Sequence, residues 1–235
     1  MEHHKNEKIS TPQAIIVAGV LIMVAILLTN KGAGTQTVKA PKTLSEQVGV
    51  SKEDFAMCTK NTDAEAMQAK IKSGVDLAMS GVPSNERGTP YSVILGLGGV
   101  KTQIRGSESY TDTKKLVDDA LLGKSDDKYT GNLPPITAED HIYGNPDAEV
   151  KIVEYSDFEC PYCKAFNPTL KRIVTESNGH VAWVYRHWPL HQHSLEKLIA
   201  AECVAKLAGN DAFWKYGELL FGLLKTGDED TLNQL

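Results

Sequence analysis

The sequence predicts an α/β domain, a mixed sheet with helices on its faces, set behind an N-terminal apolar segment. Three observations carry that prediction. Short β-branched and aromatic runs recur at 91–95 (YSVIL), 150–155 (VKIVEY) and 180–187 (HVAWVYRH), and they read as strands. Stretches with helical spacing of apolar residues separate them. One strand also passes directly into a Cys-x-x-Cys sequence at the point where a helix should begin. Strands alternating with helices assemble most naturally as a layered α/β fold.

The elements follow in order. Residues 14–28, AIIVAGVLIMVAILL, carry no charge, and with Pro12, Gln13 and Thr29 they reach about eighteen residues, the short end of a spanning helix. A cleaved signal peptide is the rival, but the following TNKGAGTQ lacks a small-x-small cleavage site. We therefore expect a transmembrane anchor in 1–29 and a Gly/Thr/Lys-rich linker over 30–43. Lysines flank the span on both sides (Lys5 and Lys8 before it; Lys31, Lys39 and Lys42 after it), so the flanks do not set its orientation. Beyond the linker about 190 residues remain, enough for one domain with a sizeable core.

Ser51 with Asp54 and Thr62 with Glu65 stand at capping-box spacing, and each pair should start a helix, the second running to about Ser80. YSVIL at 91–95, a glycine-rich turn at 96–99 and a return strand at 100–105 predict a hairpin. Tyr110–Leu122 has a helical stripe of Leu116, Val117, Ala120 and Leu121. Residues 123–149 are polar, contain Pro134-Pro135 and Gly144-Asn145-Pro146, and read as an internal connector. A strand over 150–155, a helix from Cys160 toward Ser177 kinked or interrupted near Pro168, a strand over 180–187 and two amphipathic helices, 194–208 and 211–224, complete the chain.

The net charge of −5 and the absence of a basic run exclude a nucleic-acid binder of the usual electrostatic kind. Four cysteines, Cys58, Cys160, Cys163 and Cys203, are too few for a disulfide-built scaffold of this size. The pair in Cys160-Pro161-Tyr162-Cys163 points to thiol chemistry. A cysteine at a helix start has its sulfur near unpaired N–H groups and the positive end of the helix dipole, which favours the thiolate. Pro161 suits the first helical turn, which needs no N–H. A thiolate at Cys160 can attack a disulfide, and Cys163, one turn on, can resolve the mixed disulfide. Zinc would need a second ligand pair. Cys58 and Cys203 are isolated, and His187, His191 and His193 have no standard ligand spacing, so neither a metal nor any other cofactor is expected.

VKIVEYSDFECPYCKAF at 150–166 resembles the active-site segment of the DsbA-like thioredoxin-fold disulfide oxidoreductases. DHIYGNPDAE before it resembles the family's lead-in strand and turn, and RHWPL, AAECVAK and FWKYGELLF after it resemble its second strand and inserted helices. SKEDFAMC resembles a helix of its helical subdomain, and GTPYSVIL at 88–95 its cis-proline loop and following strand. The order departs from the family, because Thr89-Pro90 precedes the Cys-x-x-Cys instead of following it. The resemblance thus implies a thioredoxin fold with an inserted helical subdomain, circularly permuted, over 44–235: a cis-proline half (44–122), the connector (123–149) and a Cys-x-x-Cys half (150–235). Two chains completing each other by swapping is the rival.

The resemblance also implies roles. Thr89 and Pro90, with Pro90 cis, would face the cysteine pair and pair with a substrate chain. Glu154 would be a buried acid assisting proton transfer for the resolving cysteine. Cys58 and Cys203 match members with a second, structural disulfide; two free cysteines are the alternative. The expected activity is extracytoplasmic oxidation of cysteines in unfolded exported proteins, with a quinone-linked membrane protein reoxidising the pair. A reductase or isomerase using the same residues, and a non-catalytic binding module, are the alternatives.

Overall fold

The computed structural model describes residues 41–224 except Asp126. The expected membrane span and the last segment, DEDTLNQL, lie outside the described residues. Among the described residues no helix is long and apolar enough to cross a membrane.

The elements are α1 (Leu44–Gln47), α2 (Lys52–Asn61), α3 (Ala64–Ala78), β1 (Tyr91–Leu95), β2 (Lys101–Arg105), α4 (Tyr110–Leu121), β3 (His141–Gly144), β4 (Val150–Ser156), α5 (Pro161–Glu176), β5 (Val181–His187), α6 (Ser194–Ala208) and α7 (Asn210–Leu223). The five strands form one mixed sheet in the order β2-β1-β4-β5-β3. Strands β4 and β5 are parallel and joined through α5; β1–β2, β1–β4 and β3–β5 are antiparallel.

Local signals set the helix starts. The Ser51 side chain accepts from Asp54 N–H and caps α2. The cap of α3 is Asp63, one residue beyond the expected Thr62. Thr62 instead donates its hydroxyl to the Cys58 carbonyl, so the neighbouring Asp63 carboxylate takes the capping position and accepts from Ala66 N–H. Thr43 and Glu46 form a full capping box on α1. Helix α5 runs through Pro168 to Glu176 without ending there. The connector holds the lead-in strand that the resemblance implies: β3 pairs with β5 along the sheet edge, and Tyr129 and Leu133 are buried.

Alternation along the strands builds two cores. On one face Ile94, Val150, Ile152, Val181, Trp183 and Tyr185 pack with Phe166 and Leu170 of α5 and Phe213, Tyr216 and Phe221 of α7. On the other, Tyr91, Val93, Val153, Tyr155 and Val184 pack with Val75, Ala78 and Met79 of α3 and its turn. The first and last described helices meet in the larger core, where Leu44 and Val50 join Leu220 and Phe221. Lys164 of α5 donates to the Leu224 carbonyl at 2.6 Å.

Candidate active site

The site is built at the C-terminal end of β4. The strand ends at Ser156, Asp157–Glu159 make a turn, and Cys160 is the N-cap of α5 with Pro161 in the first turn. Cys160 sits at 3% exposure and Cys163 at 0%; both are free thiols. Tyr162 points outward at 66% exposure.

The Thr89-Pro90 loop meets this pair from a distant part of the chain. The Thr89–Pro90 bond is cis, and the loop leads into β1, which pairs antiparallel with β4 so that Tyr91 faces Tyr155. The Cys160 Sγ lies 3.2 Å from the Thr89 carbonyl across 71 residues of sequence and donates to it while protonated.

The two sulfurs are electrostatically unlike. The Cys160 thiol is held down to about 5, chiefly by a hydrogen bond from Cys163; burial opposes this, and the N–H groups of Cys163 and Tyr162 at the helix start reinforce it. Burial pushes the Cys163 thiol far up, and its shared proton with Cys160 and the charge of Glu154 push in the same direction. Near neutral pH the pair is therefore one thiolate and one thiol, a nucleophile and a proton-bearing partner.

Behind Cys163 lies a buried polar group that only partly follows from sequence. Glu154 is 1% exposed. Strand alternation turns it to the α5 face, with Ile152 on one side and Ser156 on the other. Burial pushes its carboxyl up to about 8, against the opposing hydrogen bonds from Ser156 and Trp183. Ser156 Oγ donates to Glu154 Oε1 at 3.0 Å and Trp183 Nε1 to Oε2 at 2.9 Å. Ser156 also favours the charged form of Cys163, so this hydroxyl stands between the thiol and the carboxyl. In register, Ser92 of β1 and Tyr185 of β5 flank Glu154. Both hydroxyls are buried with no hydrogen-bond partner among the described residues. Sequence reasoning placed Glu154 but missed Ser156, although SDFEC carries it at even spacing from Glu154 on the strand.

The turn before Cys160 is clamped by the loop after β5. The buried Asp157 carboxylate accepts from Glu159 N–H, Leu190 N–H, His191 N–H, His191 Nδ1 and Ser194 Oγ. Burial opposes its charge, but these donors outweigh it and hold the group below the usual carboxylate range. Glu159 pairs at 2.8 Å with Lys197, whose side chain is fully buried. His191 thus serves the turn, and His193 contributes its backbone N–H to Glu159. His187 lies elsewhere, beside His141 and Glu202.

The other cysteines are separate from this chemistry. Cys58 of α2 and Cys203 of α6 form a disulfide across 145 residues of sequence.

Comparison with known proteins agrees with this architecture over part of the chain. The thioredoxin family model matches residues 137–232. The chain is 36% identical over 101 residues to Na(+)/H(+) antiporter NhaA 1 of Salinispora arenicola and 37% identical over 101 residues to Na(+)/H(+) antiporter NhaA 3 of Salinispora tropica. Each match covers 43% of this chain and 15% of the relative's length. Among solved structures, Pseudomonas aeruginosa DsbA2 matches at 36% identity over 38% of this chain and 50% of that one, with a TM-score of 0.35. Wolbachia pipientis alpha-DsbA1 matches at 21% identity over 43% and 50%, with a TM-score of 0.36. The mixed five-stranded sheet with its helices is a thioredoxin-like fold, and the family match begins at residue 137, within that fold.

Proposed function

We propose that this chain is a membrane-anchored thiol–disulfide oxidase that works outside the cytoplasm on unfolded, cysteine-containing exported proteins. The observation that carries the reading is the unequal acidity of the two sulfurs, about 5 for Cys160 against a strongly raised Cys163. A stabilised thiolate favours the reduced form of the pair and makes its disulfide a strong oxidant.

In the forward reaction a substrate thiolate attacks Cys160 Sγ of the oxidised pair. The Cys160–Cys163 bond breaks, and Cys163 leaves as a thiolate that takes a proton. A second substrate thiolate then attacks the substrate sulfur of the mixed disulfide, and Cys160 leaves as the stable thiolate. Glu154, raised to about 8, has the proton affinity to supply and recover the Cys163 proton near neutral pH, with Ser156 between them. The Thr89 carbonyl beside Cys160 marks where an extended substrate segment would lie against the loop.

Reoxidation belongs to a quinone-linked membrane partner, and the anchor is the apolar segment 14–28. The fold is circularly permuted within its helical part; the meeting of α1 with α7 supports that history, because joined ends make such rearrangement tolerable. Antiport is not carried over from the curated relatives, since the shared segment is 15% of their length.

The test is refolding of a reduced, unfolded disulfide protein by the oxidised full-length chain. Stoichiometric disulfide transfer that disappears in Cys160→Ala is expected. Equal transfer by Cys160→Ala would overturn the assignment.

A further inference from the structure

We propose that His141, His187 and Glu202 form a binding site for a divalent transition-metal ion of the zinc class, distinct from both cysteine pairs. The three residues come from β3, β5 and α6; Glu202 lies 61 positions from His141 and 15 from His187 in sequence, and only the fold brings them together. His141 faces Tyr185 in the β3–β5 register, and His187 stands two residues further along β5 on the same face. His141 Nε2 lies 2.7 Å and His187 Nε2 2.9 Å from one oxygen, Glu202 Oε1. The candidate ligand atoms all fall within 4.8 Å of one another.

Two imidazoles and one carboxylate match the ligand set of an open zinc site, which keeps its fourth position for water or another ligand. Nitrogen donors disfavour magnesium and calcium, which take oxygen. Both rings are held before any ion arrives. His141 stacks on Phe213 at 3.5 Å between centroids, and His187 meets the edges of Phe158 and Tyr185. Each histidine is 9% exposed. Among the described residues the half-buried Glu202 carboxylate pairs with these two rings and with no lysine or arginine, so it faces no permanent cation. All three residues line one open groove of about 740 Å³, which supplies an entry path and the fourth position. An ion roughly 2.0–2.2 Å from each donor needs the donors slightly further apart than they now stand. Rotation of the Glu202 side chain opens that space. Each imidazole ligates through Nε2 in the tautomer that carries its proton on Nδ1.

Cobalt(II) alone, then zinc in competition, should be titrated into the full-length chain with Cys160–Cys163 oxidised, so that no thiolate is free to bind. The expected result is one equivalent of Co²⁺ with four-coordinate visible bands and no sulfur charge-transfer band, displaced by one equivalent of Zn²⁺. Glu202→Gln and His187→Gln, each checked for native circular dichroism and an intact Cys58–Cys203 bridge, should weaken binding by roughly 100-fold, at least the loss that outer partners of a metal site cause. Absence of binding, binding unchanged in both folded variants, or a sulfur charge-transfer band would each overturn the proposal. None of these outcomes bears on the oxidase reading.

Discussion

The molecule holds two cysteine pairs, and their backbone settings make them opposites. Cys160 and Cys163 are three residues apart at a helix start, beside the Thr89 carbonyl and ahead of a buried acid. Cys58 and Cys203 join two helices 145 residues apart, with Thr62 beside the Cys203 sulfur. In the first pair the helix N–H groups and a neighbouring thiol make one sulfur a stable anion. The second pair is joined as a disulfide, and its bond closes a long loop. Reactivity here comes from what the fold places around a sulfur; the residue type alone does not supply it.

The largest effect should come from Cys163→Ala. Removing this thiol deletes the main source of the Cys160 acidity. The alkylation rate of Cys160, which should inflect near pH 5 in the reduced wild type, should inflect at least one unit higher in the variant, and mixed disulfides with substrate should accumulate. An unmoved inflection would assign the acidity to the helix start alone. Next, Cys58→Ala with Cys203→Ala should lower stability by about 2–4 kcal/mol in denaturant unfolding while leaving disulfide transfer within about twofold. Loss of transfer in the folded variant would break the separation of the two pairs.

A smaller, pH-dependent effect is expected at Glu154. Its folded value of about 8 lies above the usual 4.5. Its contribution to stability is therefore full below the unfolded value and is lost as pH rises through about 8. Between pH 4.5 and 8.5 the oxidised wild type should lose roughly 2–4 kcal/mol relative to Glu154→Gln, read from denaturation midpoints. Parallel pH curves would contradict a neutral buried carboxyl. The smallest effect is assigned to Ser156→Ala: a several-fold slower release of Cys163 in single-turnover transfer, with the Cys160 inflection unchanged. A shifted inflection would make Ser156 part of the nucleophile's environment instead of the proton path.

Much of this contrast was legible in the sequence, and the illegible parts have physical reasons. The Cys-x-x-Cys after VKIVEY announced its setting because strand, turn, proline and helix are local signals. The hairpin at 91–105 and the helices at 110–121, 194–208 and 210–223 lie within a residue or two of expectation. Strand β3 was reached through resemblance, as the lead-in strand of DHIYGNPDAE; composition alone places it in the connector, because HIYG is four residues, only partly buried, and flanked by turn formers. Thr62 and Asp63 compete for one cap, and spacing cannot say which side chain is diverted to another partner. The His141–His187–Glu202 cluster was invisible because its members lie on three elements and share no sequence spacing. The approach of Thr89 to Cys160 was reached only through resemblance; no local pattern encodes a contact across 71 residues.

The claim that the Cys160–Cys163 pair is an oxidant rests on thiolate stabilisation, and one measurement reads that directly. The full-length chain should be equilibrated in glutathione buffers at pH 7 and its dithiol fraction counted by alkylation. The account predicts a reduction potential near about −120 mV, the range of a strongly oxidising pair. A value near about −270 mV, the range of a reductant, would contradict it.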